Sequence, residues 1–95
     1  INDSGALGAY EACVAADVGD EFFIGGVDGT ETAIKNINDG TIYRATVDIG
    51  PLPTGKMAVD YAIKLVQGKE VPAETMVEVK AITKDNAEEY LKLFE

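Results

Sequence analysis

The sequence predicts an α/β fold of three layers (αβα), in which helices cover both faces of a mostly parallel sheet. Two observations lead to this class. Segments with helical spacing of apolar residues alternate with short segments rich in apolar and β-branched residues, and their order is αβαβαβα. The chain has 95 residues, of which 46% are hydrophobic and 26% charged, a composition typical of one small folded domain. No apolar run approaches the roughly 20 residues that cross a bilayer.

The first half of the chain predicts two helices and a strand between them. Residues 4–16 place their apolar side chains on one helical face, and polar residues that commonly cap helices precede them. Residues 21–27 form a short apolar run bounded by turn residues, which is typical of a buried parallel strand. The centre of that run is Phe22, Phe23 and Ile24. A second helix is predicted over residues 30–38, with an inward face of Ala33, Ile34 and Ile37.

The second half predicts two more strands and two more helices. β-Branched residues concentrate in residues 41–48, which indicates a strand. Pro51 and Pro53 are expected to interrupt regular structure, so that a long helix starts only at Thr54 and ends near residue 68. Residues 75–83 alternate apolar and charged side chains as a strand does, and a short helix follows at the end of the chain.

Charge and residue usage exclude several classes of function. Eight basic and seventeen acidic residues give a formal charge of −9, opposite to the basic patches that nucleic-acid-binding proteins need. The sequence has no histidine and a single cysteine, Cys13, so a zinc site and any His-based triad are excluded. We therefore expect no nucleic-acid partner, no metal, no cofactor and no enzymatic activity, and a small α/β enzyme is the least favoured interpretation.

Polar residues follow the predicted strands at the edge where α/β proteins bind ligands. Asn2 and Asp3 stand at the head of the first helix, Asp28 directly follows the apolar strand, and Asp48 ends the next strand beside Ile49. Two carboxylates and an amide suit a ligand with many hydroxyl groups. For Asp3 a helix cap is the preferred interpretation, and Asp28 is equally compatible with a turn, because Asp-Gly is a common turn pair. The candidate ligand-binding residues are Asn2, Asp28 and Asp48.

Six short segments, in order, resemble motifs of type I periplasmic sugar-binding proteins, the ribose-binding group. The similarity covers essentially all 95 residues, and the order and spacing of the motifs carry it. The segments read NDSGALGA (2–9), IGGVDGT (24–30), INDGTI (37–42), ATV (45–47), VQGKEVP (66–72) and ITKDN (82–86).

This resemblance implies a partial periplasmic-binding-protein type I fold, which consists of two α/β lobes that clasp a sugar between them. Residues 1–48 would belong to the C-terminal lobe, residues 49–82 would cross back to complete the N-terminal lobe, and residues 83–95 would return. The chain would then be a C-terminal piece that depends on a missing N-terminal portion of the same protein to fold stably.

The resemblance also implies site residues and a function. Asn2 and Asp28 match the asparagine and aspartate with which the family binds sugar hydroxyls. The family's third such residue is replaced here by Ile49, with Asp48 just before it. The protein would bind a sugar and deliver it to the membrane subunits of an ABC transporter, without catalysis. It would be periplasmic or extracellular, either free or lipid-anchored.

One alternative shares the predicted fold. The effector-binding core of a transcription regulator of the lactose-repressor family would also bind a small molecule between two lobes, but it would be cytoplasmic and would bind DNA through a separate domain. The acidic balance and the final ITKDN motif favour the exported receptor.

Overall fold

The computed structural model describes all residues 1–95 and contains four helices and three strands in the predicted order αβαβαβα. Two single turns of 3₁₀ helix, Gly19–Glu21 and Lys92–Phe94, accompany them. The helices and strands are α1 (Asp3–Ala15), β1 (Ile24–Gly25), α2 (Glu31–Asn38), β2 (Tyr43–Asp48), α3 (Pro51–Val66), β3 (Lys80–Ile82) and α4 (Ala87–Leu91). No helix combines the length and the apolar character that spanning a membrane would require.

The three strands form one sheet in the order β1-β2-β3. β1 and β2 run parallel, joined by the crossover helix α2, whereas β3 lies antiparallel to β2. The α/β class is confirmed. The sheet of this chain is mixed, because β3 follows α3 and runs back along β2 in the opposite direction. An irregularity in β2 pairs Ile24 with Tyr43 but Gly25 with Ala45, so that Arg44 is an extra residue in the ladder.

The core is small and lies where α1, α2 and α4 meet the sheet. Helix α2 buries the predicted face completely, because its apolar residues recur at helical spacing and meet both β2 and α4. The seven buried apolar residues are Ala6, Ala33, Ile34, Ile37, Tyr43, Ile82 and Ala87. Tyr10 of α1 packs edge-on against the Tyr43 ring, with 6.3 Å between the ring centroids.

The prediction of a buried strand over residues 21–27 is wrong in extent and in burial. Only Ile24–Gly25 is strand, and the Phe23 side chain is 79% exposed and that of Phe22 57%. Both residues precede β1, which is the edge strand of this sheet, and the rest of the chain leaves their side chains largely uncovered. The predicted strand over residues 75–83 is likewise reduced to Lys80–Ile82, the part that pairs with β2.

Helix α3 starts three residues earlier than predicted. Its first residue is Pro51, and Gly50 before it adopts the left-handed conformation with φ 59° and ψ 55°. Pro51 is tolerated there because the N–H that proline lacks would have no partner in the first turn of a helix. None of the 16 residues of α3 is buried.

Candidate functional site

The segments that contain the three predicted site residues meet along one edge of the sheet. The amide of Asp3, next to Asn2, donates to the carbonyl oxygen of Val27 at 2.7 Å, and the amide of Asp28 donates to the carbonyl oxygen of Val47 at 2.9 Å. These bonds bring the head of α1, the end of β1 and the end of β2 side by side. The edge is the carboxyl end of the parallel pair, where ligands bind in open α/β sheets.

Asp28 is the predicted site residue whose side chain is free. It is half-buried, and its carboxylate makes no hydrogen bond or ion pair within the chain. Its φ of 128° lies in the region that residues other than glycine rarely adopt, at a cost on the order of 1–3 kcal/mol. Strained residues of this kind are held in place by their surroundings and are frequent at binding sites. Asp28 therefore presents two unoccupied acceptor oxygens from a fixed backbone position.

The other two predicted residues each use one oxygen within the chain. Asn2 is exposed and caps α1, because its Oδ1 accepts a hydrogen bond from the Gly5 amide at 3.0 Å. Asp48 is half-buried, and its Oδ1 accepts from the Gly50 amide at 2.8 Å. The amide nitrogen of Asn2 and the second oxygen of Asp48 make no hydrogen bond within the chain.

Asp3 was predicted to cap α1, and this prediction is wrong. Its side chain is instead buried and accepts four hydrogen bonds. Its Oδ1 accepts from the Tyr43 hydroxyl at 2.6 Å and from the Thr46 hydroxyl at 2.7 Å. Its Oδ2 accepts from the amide of Thr30 at 2.8 Å and from the Thr30 hydroxyl at 3.0 Å. The side chain points inward, whereas that of Asn2 turns back to the helix, and the buried carboxylate is fully satisfied.

This network shifts the pKa of both ionisable members. Burial raises the pKa of Asp3, but the hydrogen bonds from Tyr43, Thr30 and Thr46 outweigh it and hold that pKa below its usual value. Burial raises the pKa of the Tyr43 phenol, and its hydrogen bond to Asp3 and the charges of Asp3 and Asp28 raise it further. Asp3 is thus ionised and Tyr43 neutral near pH 7.

The sequence patterns did not identify Tyr43 and Thr46 as part of this edge. They are three residues apart on one strand and would face opposite sides of a regular ladder. The extra residue Arg44 lets both hydroxyls reach the same oxygen of Asp3. A tyrosine and a threonine in a strand of otherwise apolar and charged residues were the available signal.

The edge is rich in acceptor oxygens, which suit hydrogen-bond donors more than anions. No group of three or more histidine, cysteine, aspartate or glutamate side chains is arranged to hold a metal. Asp48 lines two adjoining cavities of about 420 and 340 Å³, one towards α4 and one towards the start of α3. Free carboxylate oxygens beside a free amide can accept from and donate to adjacent hydroxyl groups of one ligand.

Comparison with known proteins gives concordant matches. The family described as "Periplasmic binding protein domain" matches residues 1–70. The ribose import binding protein of Escherichia coli is 36% identical over 83 residues, which are 87% of this chain and 27% of that protein.

Solved structures match the fold at similar coverage. An ABC transporter solute binding protein of Actinobacillus succinogenes with bound D-allose superposes with a TM-score of 0.82 at 27% identity, covering 94% of this chain and 31% of that one. One from Bacillus halodurans with bound myo-inositol has a TM-score of 0.81 at 30% identity, covering 96% and 31%. The chain therefore spans under a third of the length of the proteins that it matches.

Proposed function

The chain belongs to the periplasmic binding protein family, and on that premise we propose that it is part of a receptor that binds a sugar or related polyol and delivers it to an ABC importer. The observation that carries the proposal is the free Asp28 carboxylate, held at the carboxyl edge of the sheet with no partner of its own. The relatives named above import ribose or contain bound D-allose or myo-inositol, all neutral molecules with several adjacent hydroxyl groups.

In this proposal each site residue has a separate role. Asp28 accepts hydrogen bonds from two neighbouring hydroxyls of the sugar, as a carboxylate with two free oxygens can. Asn2 donates through its amide nitrogen while its oxygen continues to cap α1. Asp48 contributes its second oxygen, which makes no hydrogen bond within the chain.

We further propose that the chain is a C-terminal piece of a two-lobe protein, divided at residues 1–48, 49–82 and 83–95. The extended shape supports a chain that is shared between two lobes: the radius of gyration is 17.1 Å, against about 12 Å for a compact chain of this length. Apolar side chains on α3 have nothing to cover them, since Leu52 is 86% exposed and Val66 90%. The remaining part of the polypeptide would cover these faces.

The relatives support a solute carrier over the two alternatives, which are a repressor core and a small α/β enzyme. Family members are solute-binding proteins, and the two solved structures named above are solute-binding components of ABC transporters, not repressors or enzymes. We propose that the protein performs no chemistry, requires no cofactor, and acts in the periplasm or at the outer cell surface, either free or lipid-anchored. Closure of the two lobes around the sugar would present the loaded receptor to the transporter's membrane subunits.

The test is sugar-dependent stabilisation of the full polypeptide that contains this chain. Thermal unfolding is measured alone and with D-ribose, D-allose or myo-inositol, and a ligand present at 100 times its Kd adds about 2.7 kcal/mol to the free energy of unfolding. We expect one of these molecules to raise the Tm, and Asp28→Ala to remove that increase.

A matched control is Asp39→Ala, an exposed aspartate at the other end of α2 whose side chain makes no hydrogen bond. It should respond to the sugar as the parent does. A parent that responds to none of the three molecules would contradict the proposed ligand class. A response that survives Asp28→Ala would leave the receptor function in place and refute the site.

A further inference from the structure

The turn that follows β1 is hydrogen-bonded to the buried side chains of Asp3 and Thr46. The amide and hydroxyl of Thr30 donate to Oδ2 of Asp3 at 2.8 and 3.0 Å. The amide of Gly29 donates to the Thr46 hydroxyl at 3.2 Å, and that hydroxyl donates to Oδ1 of Asp3 at 2.7 Å. Both residues that follow Asp28 are therefore bonded, directly or through Thr46, to one carboxylate.

The chain is also fixed on the other side of Asp28. The carbonyl oxygen of Val27 accepts from the Asp3 amide at 2.7 Å, and the amide of Asp28 donates to the carbonyl oxygen of Val47 at 2.9 Å. Asp28 keeps its φ of 128° between these two sets of bonds. Because its carboxylate has no partner in the chain, the backbone conformation is what fixes the direction in which the Asp28 side chain leaves the turn.

We propose that Asp3 is a positioning residue for Asp28: it fixes the Asp28–Thr30 turn so that the Asp28 carboxylate faces the sugar. The inference rests on the proposed function. Asp3 cannot contact the ligand itself, since its exposure is 0% and both of its oxygens are occupied. Only an ionised carboxylate fits the place, because four donors converge on two oxygens and an asparagine would direct its own NH₂ at two of them.

Two substitutions loosen the turn, and a third serves as the matched control. Thr46→Val keeps the shape of the side chain but removes the hydroxyl that accepts a hydrogen bond from the Gly29 amide. Asp3→Asn replaces one acceptor oxygen by an NH₂ group, so that two donors lose their acceptor. Tyr43→Phe removes a hydrogen bond of 2.6 Å to the same Oδ1 of Asp3, yet Tyr43 makes no bond to the turn. This control variant therefore loses a hydrogen bond to the same carboxylate, while the bonds that hold the Asp28–Thr30 turn remain.

The measurements are made on the full polypeptide. Calorimetric titration with D-ribose, D-allose and myo-inositol gives the affinity of each variant, and thermal unfolding gives its stability. We expect Thr46→Val and Asp3→Asn to weaken binding of the sugar that the parent binds by about tenfold or more, as loss of a charge-assisted hydrogen bond would. Tyr43→Phe should weaken it by less than about threefold at a comparable loss of Tm.

A double variant tests whether the effect passes through Asp28. In an Asp28→Asn background, Thr46→Val should cause little further loss of affinity, because the group that it positions is already altered. Full additivity of the two losses would overturn the proposal.

Crystal structures of the unliganded variants supply a readout that does not depend on any sugar. The φ of Asp28 should stay near the parent value in Tyr43→Phe and depart from it in Thr46→Val and Asp3→Asn. An unchanged φ in both of the latter refutes the proposal, as does a loss of affinity in Tyr43→Phe equal to theirs. If the parent binds none of the three molecules, the proposed function fails and φ alone decides whether Asp3 positions Asp28. If Asp3→Asn does not fold, Thr46→Val decides.

Discussion

A single methyl group at Gly26 would test the buried network directly. Gly26 follows β1, and its amide donates to the carbonyl oxygen of Ala45 at 3.0 Å. A Cβ at this position would lie far inside van der Waals contact of Oδ1 of Asp3 and of the Tyr43 hydroxyl, and 3.2 Å from the Cα of Asp3. The glycine is required there because the polar network packs directly against the backbone.

The cost of Gly26→Ala follows from those contacts. Overpacking a filled site costs about 1–3 kcal/mol. Displacing the Tyr43 hydroxyl from Asp3 removes a hydrogen bond to a charged group, worth about 1.5–3 kcal/mol. The sum is about 2.5–6 kcal/mol, and at about 2–4 °C per kcal/mol it lowers the Tm of the lobe by about 5–24 °C.

The assay is thermal and urea unfolding of the full polypeptide, with Gly8→Ala as the control. Gly8 is an exposed residue of α1, and a Cβ there meets no atom within 4 Å. Because alanine favours the helix over glycine, Gly8→Ala should raise stability by up to about 1 kcal/mol. A Gly26→Ala protein as stable as the parent would refute the description of a close-packed network between β1, α1 and β2.

Two further predictions concern pH and the start of α3. The pKa of Asp3 is lower in the folded than in the unfolded chain, so its stabilisation is complete above about pH 4 and is lost as pH falls through the folded pKa. The urea midpoint of the parent should therefore fall more between pH 7 and pH 3 than that of Asp3→Asn, and an equal fall in both would contradict this. At Gly50, whose φ is 59° and where a Cβ would stand 3.3 Å from Cγ of Pro53, alanine should cost about 1–2 kcal/mol in urea unfolding. No change there would mean that the link between β2 and α3 is not confined to the left-handed conformation.

Local patterns predicted which segments form helices and strands better than they predicted which side chains are buried. The face of α2 was predicted correctly because Ala33, Ile34 and Ile37 recur at helical spacing and pack against β2 and α4. Phe22 and Phe23 have the same apolar character but stay exposed, since burial depends on what covers an edge strand and not on the strand itself. Hydrophobicity indicates which side chains favour burial but does not supply the surface that buries them.

The edge that carries Asn2, Asp28 and Asp48 could be predicted from chain topology alone, because carboxyl ends of parallel strands lie together. The hydrogen bonds of Asp3 that hold this edge in place could not be predicted in this way. The hydrogen-bonding partners of Asp3 are 27, 40 and 43 residues away along the chain, and two of them converge only because β2 contains an extra residue. Such an irregularity leaves no periodic signal, and an aspartate at the head of a helix is an ordinary cap by every local criterion.

Asp3 and Asp28 show how one residue type takes opposite roles through the donors around it. Asp3 is saturated by four donors of the protein, so its charge is stabilised internally and it offers nothing to a ligand. Asp28, a short distance away at the same edge, receives none and has its oxygens free for donors from outside. A chain with a formal charge of −9 would repel an anionic ligand, whereas the hydroxyl groups of a neutral sugar satisfy a free carboxylate without adding charge. In the proposed site the buried carboxylate orders the turn, and the strained backbone of Asp28 holds the second carboxylate where no donor of the chain reaches it.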